Sequence, residues 1–264
     1  MGDVTPDPSL CASRPLRQGP IPGSASFPQD CVNCVNLFSE KARILNMNPD
    51  SLDLASLLCS RLCHDMLSPV GALTNGLELL AEEKDPEMRQ KCFELLEQSA
   101  RISADKLRFF RLAFGAAGGF GEMVPLAEPR ALIDALVGNN GRIQANWALA
   151  GDSLPKPAVK TLLNLALIGI EALVRGGTLD IAAELRTDGA KPCSEIVIRA
   201  TGARVVFDRN VGLALEGALP GEELSSRTAP AAMLRQLVDG IGGTIQYHAA
   251  PEALVMGAML PVSA

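Results

Sequence analysis

Between Ser51 and Leu80 the chain sets Leu54, Leu58, Leu62, Met66, Val70, Leu73, Leu77 and Leu80 at three- and four-residue steps. That is the spacing of a helix that buries one stripe of its surface. The segment "EEKDP" closes it, and Asp85 then stands as an N-cap with Pro86 at the first helical position. A second helix follows through about Phe114, with Phe93, Leu96, Ala100, Leu107 and Phe110 on its apolar face. The pair predicts an antiparallel hairpin. Two helices cannot enclose a core alone, because each stripe covers only one side of the other. Pairing two hairpins into a four-helix bundle buries both stripes, so the pattern predicts a homodimer.

The glycine-rich stretch "GAAGGFGE" ends this region, and a mixed α/β pattern begins beyond it. The expected organisation is an N-terminal arm over 1–46, a helical hairpin over 47–115, a hinge over 116–123 and a second domain over 124–264. In the second domain, helices are expected at about 128–138, 157–174 and 229–240. Strands are expected at about 143–149, 178–186, 194–200, 243–248 and 253–260. This order gives the fold class: α followed by α+β, the second part a sandwich with helices on one face of a mixed sheet. The arm holds six prolines with serine and glycine between them, and is expected to be disordered because it has too little apolar surface to offset ordering.

A net charge of −6 and a pI near 5.1 argue against nucleic acid or an anionic membrane surface as partner. No apolar run reaches the roughly 20 residues that span a bilayer, and no secretory leader is visible. Seven scattered cysteines do not form an even disulfide framework. Cys31 and Cys34 make a CxxC, but no second ligand pair follows. The expectation is a cytoplasmic protein that binds neither metal nor cofactor.

Chemistry concentrates at "RLCHDMLSPV", residues 61–70. At neutral pH an imidazole is mostly uncharged and one ring nitrogen has a free lone pair, able to attack phosphorus. A carboxylate accepting a hydrogen bond from the other nitrogen fixes the tautomer and stabilises the cation formed on phosphorylation. His64 and Asp65 are the candidates. Pro69 lacks an N–H, and the carbonyl that N–H would have bonded belongs to Asp65. The other histidine, His248, ends a predicted strand and is assigned no chemistry; Trp147 is expected to anchor a sheet face or core.

His64, Asp65, Met66, Leu67, Ser68 and Pro69 resemble the phosphotransfer motif of bacterial histidine kinases: His, acid, two residues, Thr or Asn, Pro. The second domain resembles the ATP-binding domain of those kinases with its chemistry removed. "NLALIGIEALVRGGTL" at 164–179 keeps Asn164 and Glu171 of the kinase pattern, but Ile168 stands where an asparagine ligates magnesium. In "IVIRATGARV", Ala200 replaces the adenine-reading aspartate and Arg204 a glycine. The last nucleotide loop corresponds to "SRTAPA" at 226–231, which has no glycine to let backbone amides approach phosphate. Three elements fail at the atom the ligand needs, so ATP hydrolysis is not expected.

This combination, with "LCSRLCHD" and the later "RGGTL", is similar to the ChpT family of alphaproteobacterial histidine phosphotransferases over about residues 51–264. The resemblance implies a homodimer in a phosphorelay of two-component, cell-cycle signalling. It implies that His64 accepts phosphoryl from the receiver of a CckA-like hybrid kinase and passes it to CtrA-like and CpdR-like response regulators. Magnesium would sit on the receiver. Receivers would dock on the face His64 shares with Leu67, Ser68, Gly71, Ala72 and Asn75, a strip of small, mildly apolar residues. A non-catalytic dimeric scaffold, or a phosphatase acting through Asp65 and Ser68, fits the same sequence.

Overall fold

The computed structural model describes residues 49–115, 122–187 and 192–262. The arm, with Cys11, Cys31 and Cys34, and residues 116–121 of the glycine-rich stretch lie outside the described residues. Helix α1 spans Pro49–Glu82 and helix α2 spans Pro86–Ala113. Asp85 caps α2 as its sequence position predicts, its carboxylate accepting from the Glu87 N–H at 2.8 Å, with Pro86 beginning the helix. At the other side of the turn, the Arg89 guanidinium donates to the Leu80 and Glu83 carbonyls at 2.8 and 2.9 Å. These carbonyls belong to the end of α1, where intrahelical donors run out.

Within the single chain the helices cover only part of the stripe the periodicity marks: Leu54 is buried and Leu58, Leu62, Met66, Leu73 and Leu80 are half-buried. On α2 the buried positions are Cys92, Ser99, Ser103 and Phe110, whereas Phe93, Ala100 and Leu107 are exposed. On α1, Val70 and Leu77 are exposed while Pro69 and Gly76 are buried. Small side chains let the helices approach: a Cβ on Gly76 would come within 2.9 Å of the Leu96 side chain. Ser103 donates to the Ser99 carbonyl of its own helix at 2.8 Å, so burying its hydroxyl leaves it satisfied. The larger apolar residues are left on the flanks of the hairpin.

The α/β part contains β1 (Met123–Pro125), α3 (Ala127–Asn140), β2 (Ile143–Ala150), β3 (Ser153–Pro155), α4 (Lys156–Ala172), β4 (Gly177–Arg186) and β5 (Cys193–Thr201). After these come α5 (Arg209–Glu216), α6 (Ala229–Gly240), β6 (Thr244–Ala250) and β7 (Ala253–Pro261). The sequence reading missed α5 and the three-residue strands β1 and β3. These are too short for periodicity to register, although Asp208 does cap α5 by accepting from the Asn210 N–H. Five strands form one sheet in the order β2-β4-β5-β7-β6, with β2 and β4 parallel and the other pairs antiparallel. Strands β1 and β3 pair separately.

Alternation along the strands sends one set of residues toward the helices. The register stacks Ile181 beside Ile198 and Ile198 beside Met256, then Leu179 beside Ala200 and Ala200 beside Leu254. All six are buried. Helix α4 lies across them, and because it also packs against α2 and α6 it is apolar nearly all round. Gly169 sits where α4 crosses closest: a Cβ there would fall 2.7 Å from the Leu179 side chain. Trp147 is half-buried on β2 against α3, its indole N–H donating to Asp134 at 2.8 Å with the Arg130 guanidinium over its ring. His248 is exposed on the edge strand β6.

The last turns of α2 belong to the sandwich core. Phe109, Phe110, Leu112 and Ala113 are buried in the same cluster as the inward residues of the sheet and α4, and Asn48–Ala264 form a single unit. Replacing Phe109 by Ala is expected to cost about 3–5 kcal/mol, as for other large-to-small aromatic substitutions in cores. Urea denaturation followed by fluorescence of the lone Trp147 and by far-ultraviolet circular dichroism checks this. The two signals should shift together, and separate transitions would contradict a shared core.

Candidate functional site

His64 lies on the outward side of α1, its side chain 80% exposed, while the neighbouring Asp65 side chain is only 18% exposed. Successive helical side chains do not face one another, yet Asp65 Oδ1 reaches His64 Nδ1 at 3.1 Å. The contact depends on how Asp65 is held. Its second oxygen, Oδ2, accepts from Arg61 Nε at 2.7 Å, one helical turn back. Its backbone carbonyl, freed by the missing N–H of Pro69, accepts from Lys106 Nζ on α2 at 2.9 Å. The proline therefore opens an acceptor that the second helix fills, and α1 runs unbroken through it.

Arg61 carries the network across the molecule. Its Nη2 pairs with Glu171 Oε1 on α4, so a single guanidinium bridges carboxylates from the hairpin and the sandwich. Burial pushes the Glu171 carboxyl above the usual carboxylate range, and Arg61 draws it back only in part. Burial alone would lower the Arg61 guanidinium, but Glu171 and Asp65 hold it above its ordinary value. The pair thus keeps Arg61 charged inside the interface.

A carboxylate can only accept at Nδ1, so the contact favours the Nδ1–H tautomer of a neutral ring, in which the Nε2 lone pair is free. The imidazole is exposed, and the carboxylate that meets it is half-buried beneath it. Along the same outward strip the structure places Leu67, which is 71% exposed, together with the exposed Ser68, Ala72 and Asn75 and the half-buried Gly71. A Cβ on Gly71 would meet nothing within 4 Å, so no contact within the chain requires glycine there. The sequence reading identified His64, Asp65 and this strip. It missed Arg61, Lys106 and the role of Glu171. Arg61 stands four residues before Asp65 and could have been found as a helical ion pair, but nothing local points to partners 41 and 110 residues away.

The region that resembles a nucleotide site is filled by protein. Ala200 is buried in the sheet core, and Asn164 is wholly buried, donating to the Ala113 and Lys160 carbonyls at 3.3 and 2.8 Å. It thereby ties the end of α2 to α4. Between Ile168, Glu171, Phe207, Asp208, Arg227 and Pro230 there is a cavity of about 20 Å³, room for about one water. Pro230 lies in the first turn of α6, where its absent N–H costs nothing. Arg227 crosses the rim to Asp208 at 3.2 Å. Among the described residues no His, Cys, Asp and Glu group is arranged to hold a metal ion, and no helix is long and apolar enough to cross a membrane.

Comparison with known proteins agrees with this architecture. The family model for the histidine phosphotransferase C-terminal domain matches residues 126–253. A solved bacterial phosphotransferase superposes with a TM-score of 0.67 at 34% identity, over 79% of this chain and 96% of that one. The histidine kinase AdeS of Acinetobacter baumannii gives a TM-score of 0.42 at 11% identity, over 76% of this chain and 98% of that one. The protein phosphotransferase ChpT of Brucella abortus (strain 2308) is 36% identical over 208 residues, 79% of this chain and 96% of the relative. With that identity across nearly the whole relative, and the C-terminal domain matched by the family model, the chain belongs to the ChpT family of histidine phosphotransferases.

Proposed function

We propose that the chain is a histidine phosphotransferase in a multistep phosphorelay, taking phosphoryl from the receiver domain of a hybrid histidine kinase and giving it to response-regulator receivers. The observation that carries this reading is the exposed His64 imidazole whose Nδ1 is held by a buttressed Asp65. In the forward step the Nε2 lone pair attacks the phosphorus of a receiver aspartyl phosphate in line. The P–N bond forms as the P–O bond breaks, and that electron pair leaves on the receiver carboxylate. The ring becomes an N-phosphorylated cation with its proton still on Nδ1, stabilised by Asp65. Donation to a second receiver reverses these steps.

Magnesium, placed on the receiver by the family resemblance, would neutralise the phosphoryl oxygens. No cofactor is assigned to this chain. CckA-like donors and CtrA-like and CpdR-like acceptors are the partners that family membership suggests. A cytoplasmic homodimer completes the reading, supported by Val70 and Leu77 on α1 and Phe93 and Leu107 on α2, four large apolar side chains left uncovered in the single chain. The hairpin over 47–115 would then serve as the transfer and dimerisation module, with 124–264 as a sandwich that no longer uses nucleotide.

Three outcomes are expected. Incubated with a radiolabelled phospho-receiver and no ATP, the wild-type chain should acquire acid-labile, base-stable label, and His64→Ala should acquire none. Absence of label on wild type with every donor would favour a scaffold or a phosphatase instead. Leu67→Glu places a charge where a receiver would bury a leucine; at about 1–3 kcal/mol for an unpaired polar group, receiver affinity should fall roughly 5- to 150-fold. Its urea midpoint should stay close to wild type, because the side chain is 71% exposed. A titration with fluorescent ATP and magnesium should give no saturable binding, and a micromolar dissociation constant would contradict a sandwich that no longer uses nucleotide.

A further inference from the structure

The placement of Asp65 is not a property of the helix that carries it. A residue at i+1 points roughly 100° away from its neighbour, and Asp65 meets His64 only because its other oxygen is drawn to Arg61. Arg61 in turn has a long side chain with several rotamers, and its guanidinium is fixed from outside the helix by Glu171. The middle of the network is the most covered: Arg61 is 13% exposed and Asp65 18%, against 36% for Glu171 and 80% for His64. Glu171 stands in the segment that resembles a nucleotide site, but its carboxylate faces the hairpin, and the cavity beside it holds little more than a water.

We propose that Arg61 is a positioning residue for phosphoryl transfer at His64, and that Glu171 of the sandwich holds Arg61 in place. The sandwich then sets the tautomer and orientation of the transfer histidine through the chain Glu171, Arg61, Asp65, His64. This assignment rests on the phosphotransferase reading for its consequence but not for its geometry. An arginine is required because two carboxylates must be met by one planar group; a lysine presents a single point charge and loses the fork.

The test uses the full chain with ¹⁵N-labelled histidine, and compares wild type with Arg61→Ala, Glu171→Ala and the double variant. Two readouts are taken: the ring ¹⁵N shifts well above the ordinary histidine pKa of about 6.5, and the rate of label transfer from a phospho-receiver. The chain has two histidines, so exposed His248 on the edge strand serves as an internal reference. In wild type the His64 ring should be predominantly the Nδ1–H tautomer. Arg61→Ala and Glu171→Ala should move it toward the mixture of a free imidazole, with His248 unchanged.

Transfer should slow about 10- to 100-fold in Arg61→Ala, the usual scale for losing a group that orients a reactive histidine. It should slow less in Glu171→Ala, and adding Glu171→Ala to Arg61→Ala should change neither readout further. Arg61→Lys and Glu171→Gln, which nearly preserve volume, carry the same comparison if an alanine variant fails to fold, and should give intermediate shifts. Unchanged His64 tautomer in Arg61→Ala, or an effect of Glu171→Ala that persists without Arg61, would overturn the proposal. A tautomer that follows Arg61 in a wild-type chain that takes no label would uphold the positioning network and sink the phosphotransferase reading instead.

Discussion

Everything that distinguishes this molecule from a free helical hairpin follows from the burial of the last turns of α2. Phe109, Phe110, Leu112 and Ala113 enter the same core as α4 and the inward face of the sheet, and the Asn164 side chain fastens the Ala113 carbonyl to α4. A helix anchored in this way carries the whole hairpin with it. Once α2 is fixed against α4, the facing side of α1 must lie near the end of α4, and Arg61 finds Glu171 there. Hydrophobic burial, which has no direction, supplies the holding energy. The directed contacts at Arg61, Asp65 and Lys106 use the registration that burial provides.

The same economy explains the fate of the residues that resemble a nucleotide site. In the sheet core Ala200 packs beside Leu179 and Leu254, and Gly169 lets α4 descend onto Leu179 and Ile198. A ligand there would need the space those contacts fill. What is kept of the kinase-like pattern is put to structural use: Asn164 joins two helices and Glu171 joins two parts of the chain. A residue kept in a motif can therefore take a structural role, which shows in the groups its polar atoms meet.

Proline at position 69 illustrates how one local rule becomes a tertiary contact. Removing an N–H from a helix leaves a carbonyl with no intrahelical partner. Near a surface, water would take it. Here the carbonyl of Asp65 faces α2, and the Lys106 ammonium takes it at 2.9 Å, so the backbone as well as the side chain of the acidic residue is tied down. Both ties act on the turn that bears His64.

Much of this could be read from the residues in order. Helical periodicity, the Asp85 and Pro86 cap, and the strand alternation placed most of the large elements, and the motif around His64 singled out a candidate site, because these are local signals carried by neighbours in sequence. A sequence pattern shows which residues are apolar, but not which of them are covered within one chain, nor that the small residues Ser99, Ser103 and Gly76 are buried between the helices. It also could not name Lys106 or assign Glu171 its role. The sequence by itself determined which side chains could do chemistry and on which helix they stand. Only the tertiary structure decided what holds them, because an ion pair spanning 110 residues exists only after the core has brought its two ends together.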